Sequence, residues 1–217
     1  KRIDDKRFLN LIRKWLKAGI IETDGQVTHP VTGTPQGGVV SPILANIYLH
    51  HVIDEWFEET VRKHCRGQIY LCRYADDFVC AFENGKDAER FYKALSQRLE
   101  QFGLEVAEDK THIIEFSPCK VRVKTKFDFL GFEFRWGVNR WGKPILKRRT
   151  SREKLQVSLA KFKVWFKKYS GIPKKILFMK LNRKLQGYYN YYGIRGNYKS
   201  LNSFVYRIWK LLYKWLN

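Results

Sequence analysis

The sequence predicts an α+β protein in two parts: an antiparallel sheet with helices over residues 1–147, then a three-helix domain over residues 148–217. Three observations predict it. Short apolar runs separated by turn residues fill residues 68–146, as strands do. Beyond Thr150 the apolar spacing becomes helical and stays so. Charge divides the chain at nearly the same place. Residues 1–120 hold 17 Lys+Arg against 18 Asp+Glu, whereas residues 121–217 hold 25 against three.

The elements follow in order. Phe8, Leu9, Leu11, Ile12, Trp15 and Leu16 lie on one helical face within residues 5–18, and Gly19 ends it. Residues 20–32 read as a short hairpin turning at Asp24-Gly25. Residues 33–38 are a glycine-rich loop. Ser41 then reads as an N-cap with Pro42 in the first turn, opening a helix whose buried side is Ile43, Leu44, Ile47, Tyr48, Val52, Ile53, Trp56 and Phe57. Two short strands occupy residues 68–82, with Ala75-Asp76-Asp77 between them. A helix over 86–102 and strands near 104–106 and 112–116 come next. Residues 127–136 and 141–146 read as a further strand pair, turned at 137–140. Helices over 151–169, 173–192 and 198–216 complete the chain, separated by Gly171-Ile172-Pro173 and by Gly193-Ile194-Arg195-Gly196.

Composition excludes several classes. With 44% hydrophobic and 16% aromatic residues, the 217-residue chain is no disordered basic tail. It holds no run of about 18 apolar residues that would span a bilayer, and Lys1-Arg2-Ile3-Asp4-Asp5 has no signal-peptide core. Cys65, Cys72, Cys80 and Cys119 form no CxxC pair and have no histidine at zinc spacing, so they read as reduced thiols of a cytoplasmic protein. The five histidines lack ligand spacing and receive no role. The net charge of +21 calls for a polyanionic partner, and the interleaved Tyr and Trp suit nucleic acid at least as well as a membrane surface.

Tyr74-Ala75-Asp76-Asp77 is the sharpest motif, flanked by Ile69-Tyr70-Leu71-Cys72 and Phe78-Val79-Cys80-Ala81. Adjacent carboxylates between apolar strands are costly unless a cation neutralises them. Two Mg²⁺ ions about 3.5–4 Å apart are the arrangement that phosphoryl transfer to a hydroxyl uses. Taken alone, the tetrapeptide equally fits a polar hairpin turn. Context decides between them. Pro35-Gln36-Gly37-Gly38, Ser41-Pro42 and Leu44-Ala45-Asn46 precede the pair. Phe102-Gly103-Leu104, Glu108-Asp109-Lys110-Thr111 and Phe127-Asp128-Phe129-Leu130-Gly131-Phe132 follow it.

In that order these strings resemble the successive motifs of reverse transcriptases. Ala75 and the closing run Leu181-Asn182-Arg183-Lys184-Leu185-Gln186-Gly187-Tyr188-Tyr189-Asn190-Tyr191-Tyr192-Gly193 resemble the group II intron-encoded branch and its maturase (domain X) thumb. The resemblance implies part of a right-hand polymerase palm followed by a helical thumb, and an RNA-directed DNA polymerase that also serves intron splicing. An RNA-binding maturase, or a defence-associated relative without intron mobility, fits the same residues. The resemblance further implies two Mg²⁺ ions on Asp76 and Asp77, with Asp76 the principal ligand. It gives Lys110 the role of protonating departing pyrophosphate. Pro35, Gln36 and Gly37 would line the nucleotide and template site, while Phe129, Leu130 and Gly131 would grip the primer end. The implied partners are an RNA template or intron RNA, a DNA primer and deoxynucleoside triphosphates, without a membrane; a homodimer stays open.

Lys147, Arg148, Arg149, Lys174, Lys175, Arg183 and Lys184 are the candidate phosphate-binding residues of the basic part. Tyr188 and Tyr191 fit helix core better than base stacking, given their spacing. Reverse transcriptases use a third carboxylate from a strand before the first helix seen here. Asp4 and Asp5 read instead as a helix N-cap. The chain by itself is therefore expected to be a weak or inactive polymerase, part of a longer active polypeptide.

Overall fold

Asp5 starts the first helix. Its carboxylate accepts hydrogen bonds from the backbone N–H groups of Arg7 (2.8 Å) and Phe8 (3.2 Å), two donors that a first helical turn leaves without partners. The N-cap reading of the sequence holds there. The structure, a computed structural model, describes residues 3–17, 20–21, 27–28, 40–120 and 125–216. Helix α1 is Lys6–Lys17. Its expected apolar face is not enclosed: Phe8, Leu9, Leu11, Trp15 and Leu16 are exposed and only Ile12 is half-buried. Strands β1 (Ile20–Ile21) and β2 (Val27–Thr28) pair antiparallel as the hairpin required. Asp24-Gly25 and the loop at 33–38 lie outside the described residues.

A continuous helical run follows, from α2 (Ser41–Leu49) to α3 (Arg62–His64), with wider π-type turns over His50–Glu55 and Phe57–Val61 between them. Its N-cap is Val40 rather than Ser41. The Val40 carbonyl accepts from the N–H groups of Ile43 and Leu44, so Ser41 and Pro42 already form the first turn. The expected buried side is also corrected in part. Val52, Ile53, Phe57 and Val61 are buried, but Ile43, Ile47 and Tyr48 stand exposed. The fourfold spacing of Ile53, Phe57 and Val61 matches the wider turns, which bring those residues onto one face.

Strands β3 (Ile69–Tyr74) and β4 (Asp77–Phe82) form the predicted hairpin, in register from Ile69↔Phe82 to Tyr74↔Asp77. Helix α4 (Gly85–Glu100) lays Phe91, Leu95 and Leu99 against the π-turn residues and Ile69, making one core. Asp87 fixes the start of that helix. Buried itself, it accepts from the Arg66 N–H at 2.9 Å and pairs with Arg90. Residues 104–106 are not a strand: Leu104 and Val106 pack on this core without a paired neighbour. Residues 112–116 likewise form no strand.

The chain parts into two compact units, Lys1–His112 and Ile113–Asn217. The division precedes the expected boundary at 147/148, because the second sheet belongs with the helices. That sheet is a meander of three strands rather than two: β5 (Lys126–Phe129), β6 (Phe132–Val138) and β7 (Pro144–Thr150). Leu130 and Gly131 both take left-handed backbone (φ 50° and 76°), which closes a two-residue hairpin inside the segment read as one strand. Leucine rarely adopts that conformation, so strand spacing alone concealed the turn, although the resemblance implied one at Phe129-Leu130-Gly131.

Helices α5 (Arg152–Tyr169), α6 (Lys174–Tyr192) and α7 (Tyr198–Leu216) match their predicted spans. Phe162, Phe166, Leu177, Leu181, Tyr188, Phe204, Ile208 and Leu212 are their shared core, with Tyr188 stacked on Phe204 at 3.8 Å between ring centroids. Asn197, fully buried, ties sheet to helices. Its Oδ1 accepts from the Thr150 N–H (2.8 Å), and its Nδ2 donates to Thr150 Oγ1 (2.9 Å) and to the Tyr192 carbonyl (2.8 Å).

Candidate active site

The β3–β4 hairpin turns through Ala75 and Asp76, with Ala75 in left-handed backbone at φ 55°. For a residue other than glycine that conformation costs about 1–2 kcal/mol. Asp76 and Asp77 are both exposed. The desolvation cost expected from their apolar flanks is therefore not incurred in this unit: the strands bury their inward side chains while the turn projects beyond them. Tyr74 is exposed beside the pair.

What lies behind the turn escaped the sequence reading. Along β3 the inward positions are Ile69, Leu71 and Arg73. Arg73 meets Asp54 of the π-turn segment through two parallel bonds of 2.7 Å, Nε to Oδ1 and Nη2 to Oδ2. Its Nη1 donates to Asn46 Oδ1 (2.9 Å) and to the Ala75 carbonyl (2.8 Å). The Arg73 fork holds the Asp54 carboxyl below its ordinary value, against an upward push from burial, and His50 adds to the depression. His50 and His51 bond Asp54 and Glu55 one helical turn on, at 3.0 and 2.7 Å. An arginine on the inward side of a strand was the available signal, since such a position demands a buried acceptor.

Lys110 lies on an exposed turn where its N–H donates to the Ala107 carbonyl. Among the described residues no hydrogen bond or ion pair joins it to Asp76 or Asp77. Pro35, Gln36 and Gly37 lie outside the described residues. Among the described residues no group of three His, Cys, Asp or Glu is gathered to hold a metal ion.

In the second unit the Phe129-Leu130-Gly131 turn is fastened from two sides. The Tyr191 hydroxyl donates to the Leu130 carbonyl (2.9 Å), and the Ser151 N–H donates to the Gly131 carbonyl (2.9 Å). Tyr191 also stacks on Phe132 at 5.8 Å. Tyr188 is core, as its spacing indicated, and burial pushes its phenol up to about 12. Tyr191, expected there too, is exposed because its ring and hydroxyl turn to the Leu130 hairpin instead.

The basic candidates separate into two kinds. Lys147, Arg148, Lys174, Lys175 and Arg183 are exposed. Arg149 instead pairs at 2.8 Å with Glu133, which is only 1% exposed and also bonds Lys126 at 3.0 Å. Lys184 sits 4.9 Å from the Phe162 ring centroid. Helix α7 adds a feature that the sequence reading did not single out. Tyr206, Trp209 and Tyr213 are 58–73% exposed, and Lys210 lies 4.6 Å from the Tyr206 ring. Together with Phe178, Leu212 and Leu216 they line a groove of about 400 Å³. Residues 154–217 contain no Asp or Glu.

The chain is 26% identical to the group II intron-encoded protein LtrA of Lactococcus lactis subsp. cremoris, in an alignment covering 94% of this chain and 46% of that protein. It is 54% identical over 57 residues to the uncharacterized 91 kDa protein in cob intron of Schizosaccharomyces pombe, covering 26% of this chain and 7% of that one. It is 29% identical over 109 residues to the telomerase reverse transcriptase of Takifugu rubripes, covering 50% of this chain and 10% of that one. The chain thus spans less than half the length of each of these relatives. Residues 2–134 match the sequence model of the reverse transcriptase (RNA-dependent DNA polymerase) family, and with more than half of its length matched, the chain belongs to that family.

Proposed function

We propose that the polypeptide containing this chain copies RNA into DNA by two-metal nucleotidyl transfer, with Asp76 and Asp77 supplying part of the metal site. The observation that carries this reading is the exposed acidic tip of a hairpin whose base is anchored from behind, in a chain of the reverse transcriptase family. Mg²⁺ is commonly held by one or two carboxylates, with water and substrate phosphates completing its shell, so this pair of exposed hard-oxygen donors fits it. Bound there, the ions would lower the pKa of the primer 3′-hydroxyl and stabilise the leaving pyrophosphate.

The chain's own residues do the rest. Asp76 and Asp77 present their carboxylates to solvent, the side from which a primer end and a triphosphate would approach. Lys110 is the candidate proton donor to departing pyrophosphate. Pro35, Gln36 and Gly37 are the candidate lining of the nucleotide and template site, and Phe129-Leu130-Gly131 the primer grip. In the second unit Lys147, Arg148, Lys174, Lys175 and Arg183 offer cations to phosphates, while Tyr206, Trp209 and Tyr213 offer flat faces for unpaired bases.

Primer extension on an RNA template tests the reading, with the full-length polypeptide, deoxynucleoside triphosphates and Mg²⁺. Asp76→Ala is expected to lower the rate by several orders of magnitude. Extension at the unaltered rate would overturn it. A maturase role in folding intron RNA is the second reading, favoured by the acid-free run of residues 154–217. It predicts that Asp76→Ala leaves intron RNA binding intact.

A further inference from the structure

The anchorage of the acidic turn is more extensive than a hairpin needs. A two-residue hairpin is already closed by its strand register, here Tyr74↔Asp77. Arg73 adds a second closure from the side chain. Its guanidinium is planar and carries five N–H donors in fixed directions. Four of them are engaged: two on Asp54, one on Asn46 and one on the Ala75 carbonyl. The Arg73 side chain is 10% exposed, so water competes little for its two bonds to Asp54. The bonds to Asn46 and Ala75 lie at the exposed rim of the same fork. Asn46 lies in α2 and Asp54 in the π-turn stretch beyond it, so both acceptors ride on one helical run packed in the first core. The guanidinium therefore transmits the position of that run to a single backbone carbonyl, next to the residue that carries the first carboxylate.

Ala75 takes a left-handed conformation without being glycine. Such a residue keeps that conformation only where its surroundings hold it there. The bond from Arg73 to its carbonyl is such a hold. We propose, building on the polymerase reading above, that Arg73 is a positioning residue: with Asp54 and Asn46 it locks the Ala75 turn, so that Asp76 and Asp77 are aimed before metal or substrate arrives. Without the fork the turn relaxes, and the carboxylates must be ordered anew in each catalytic cycle. The loss falls on turnover, since the engaged donors of Arg73 all face protein acceptors.

The experiment uses the full-length polypeptide carrying Arg73→Gln, Arg73→Lys or Asp54→Asn. Hydrogen exchange is read on peptides covering residues 74–78, without metal or substrate. Arg73→Gln is expected to speed exchange there at least tenfold and to leave α6 unchanged. In primer extension it is expected to lower kcat by roughly 10–100-fold, as loss of a group that orients a metal ligand does, with KM altered less than threefold. Arg73→Lys keeps the charge but not the fork and should recover only part of the rate. Asp54→Asn should reproduce the defect, and the double variant Asp54→Asn/Arg73→Gln should add little to either single change. Should Arg73→Gln not fold, Asp54→Asn and Arg73→Lys carry the same comparison.

Unchanged exchange at the turn would overturn the proposal. So would a kcat loss no greater than that of Asp87→Asn variants of matched stability, which would reduce Arg73 to a structural role. The exchange readout needs no activity. If Asp76→Ala extended primers normally while Arg73→Gln still loosened the turn, the polymerase reading would fail and the lock would stand.

Discussion

Asn197 shows how one enclosed side chain holds an element boundary together. Its amide meets the last residue of β7 and the last residue of α6 within a fully buried space. Asn197→Ala strands the Thr150 N–H and is expected to cost roughly 1–3 kcal/mol, read as a lower urea midpoint at unchanged m-value. Two buried carboxylates make stability depend on acid. The Arg66 N–H and the Arg90 side chain hold Asp87 below its ordinary 3.8. Burial pushes Glu133 up, but its bonds from Arg149 and Lys126 outweigh that and leave it below 4.5. A carboxyl depressed in the folded state contributes its full stability above the unfolded value and loses it as pH falls through the folded one. Stability should therefore be level near neutrality and fall as pH drops below about 4. Asp87→Asn should lower the neutral plateau and flatten the acid limb, measured by urea unfolding from pH 2 to 7.

Two of the glycine turns separate backbone cost from packing cost at the level of the element. Gly103 (φ 65°) ends the turn after α4 with open space around it, whereas a Cβ on Gly131 (φ 76°) would sit 3.0 Å from the Tyr192 hydroxyl. Gly103→Ala should cost only the left-handed backbone penalty, about 1 kcal/mol. Gly131→Ala adds displacement of Tyr192, and with it the clamp that Tyr191 places on the Leu130 carbonyl. A larger loss, about 2 kcal/mol or more, is expected, with increased exchange across residues 129–132. Equal losses at the two sites would mean that the helix does not brace the turn.

Charge separates the two units of the molecule. Lys1–His112 is nearly balanced, with 16 Lys+Arg against 17 Asp+Glu, and Ile113–Asn217 holds 26 against four. Burial then decides which cations can reach a polyanion. Replacing Arg148, Lys174, Lys175 and Arg183 by Gln should weaken RNA binding and flatten its salt dependence, by about 0.7–0.9 in log–log slope for each phosphate that is no longer neutralised. Arg149→Gln should leave that slope in place and lower stability instead, because it removes one of the two cationic partners of buried Glu133. Filter binding across a salt series, with melting curves alongside, distinguishes the two outcomes. No helix among the described residues is long and apolar enough to cross a membrane.

Local pattern determined much of this protein by itself. The acidic turn between apolar strands, the Asp5 cap, the three closing helices and the shift of charge along the chain were legible, because each depends on residues adjacent in sequence or one helical turn apart. Tertiary structure alone decided the rest. It placed Asn46 and Asp54 against Arg73, residues 27 and 19 positions apart in sequence, and it took Arg149 out of the free cations by burying Glu133 beneath it. It also set Tyr206, Trp209 and Tyr213 outward although their helical spacing equally suited a core. Periodicity says that a face is apolar or charged. Which surface meets that face depends on packing between distant segments, and a one-dimensional pattern does not carry that information.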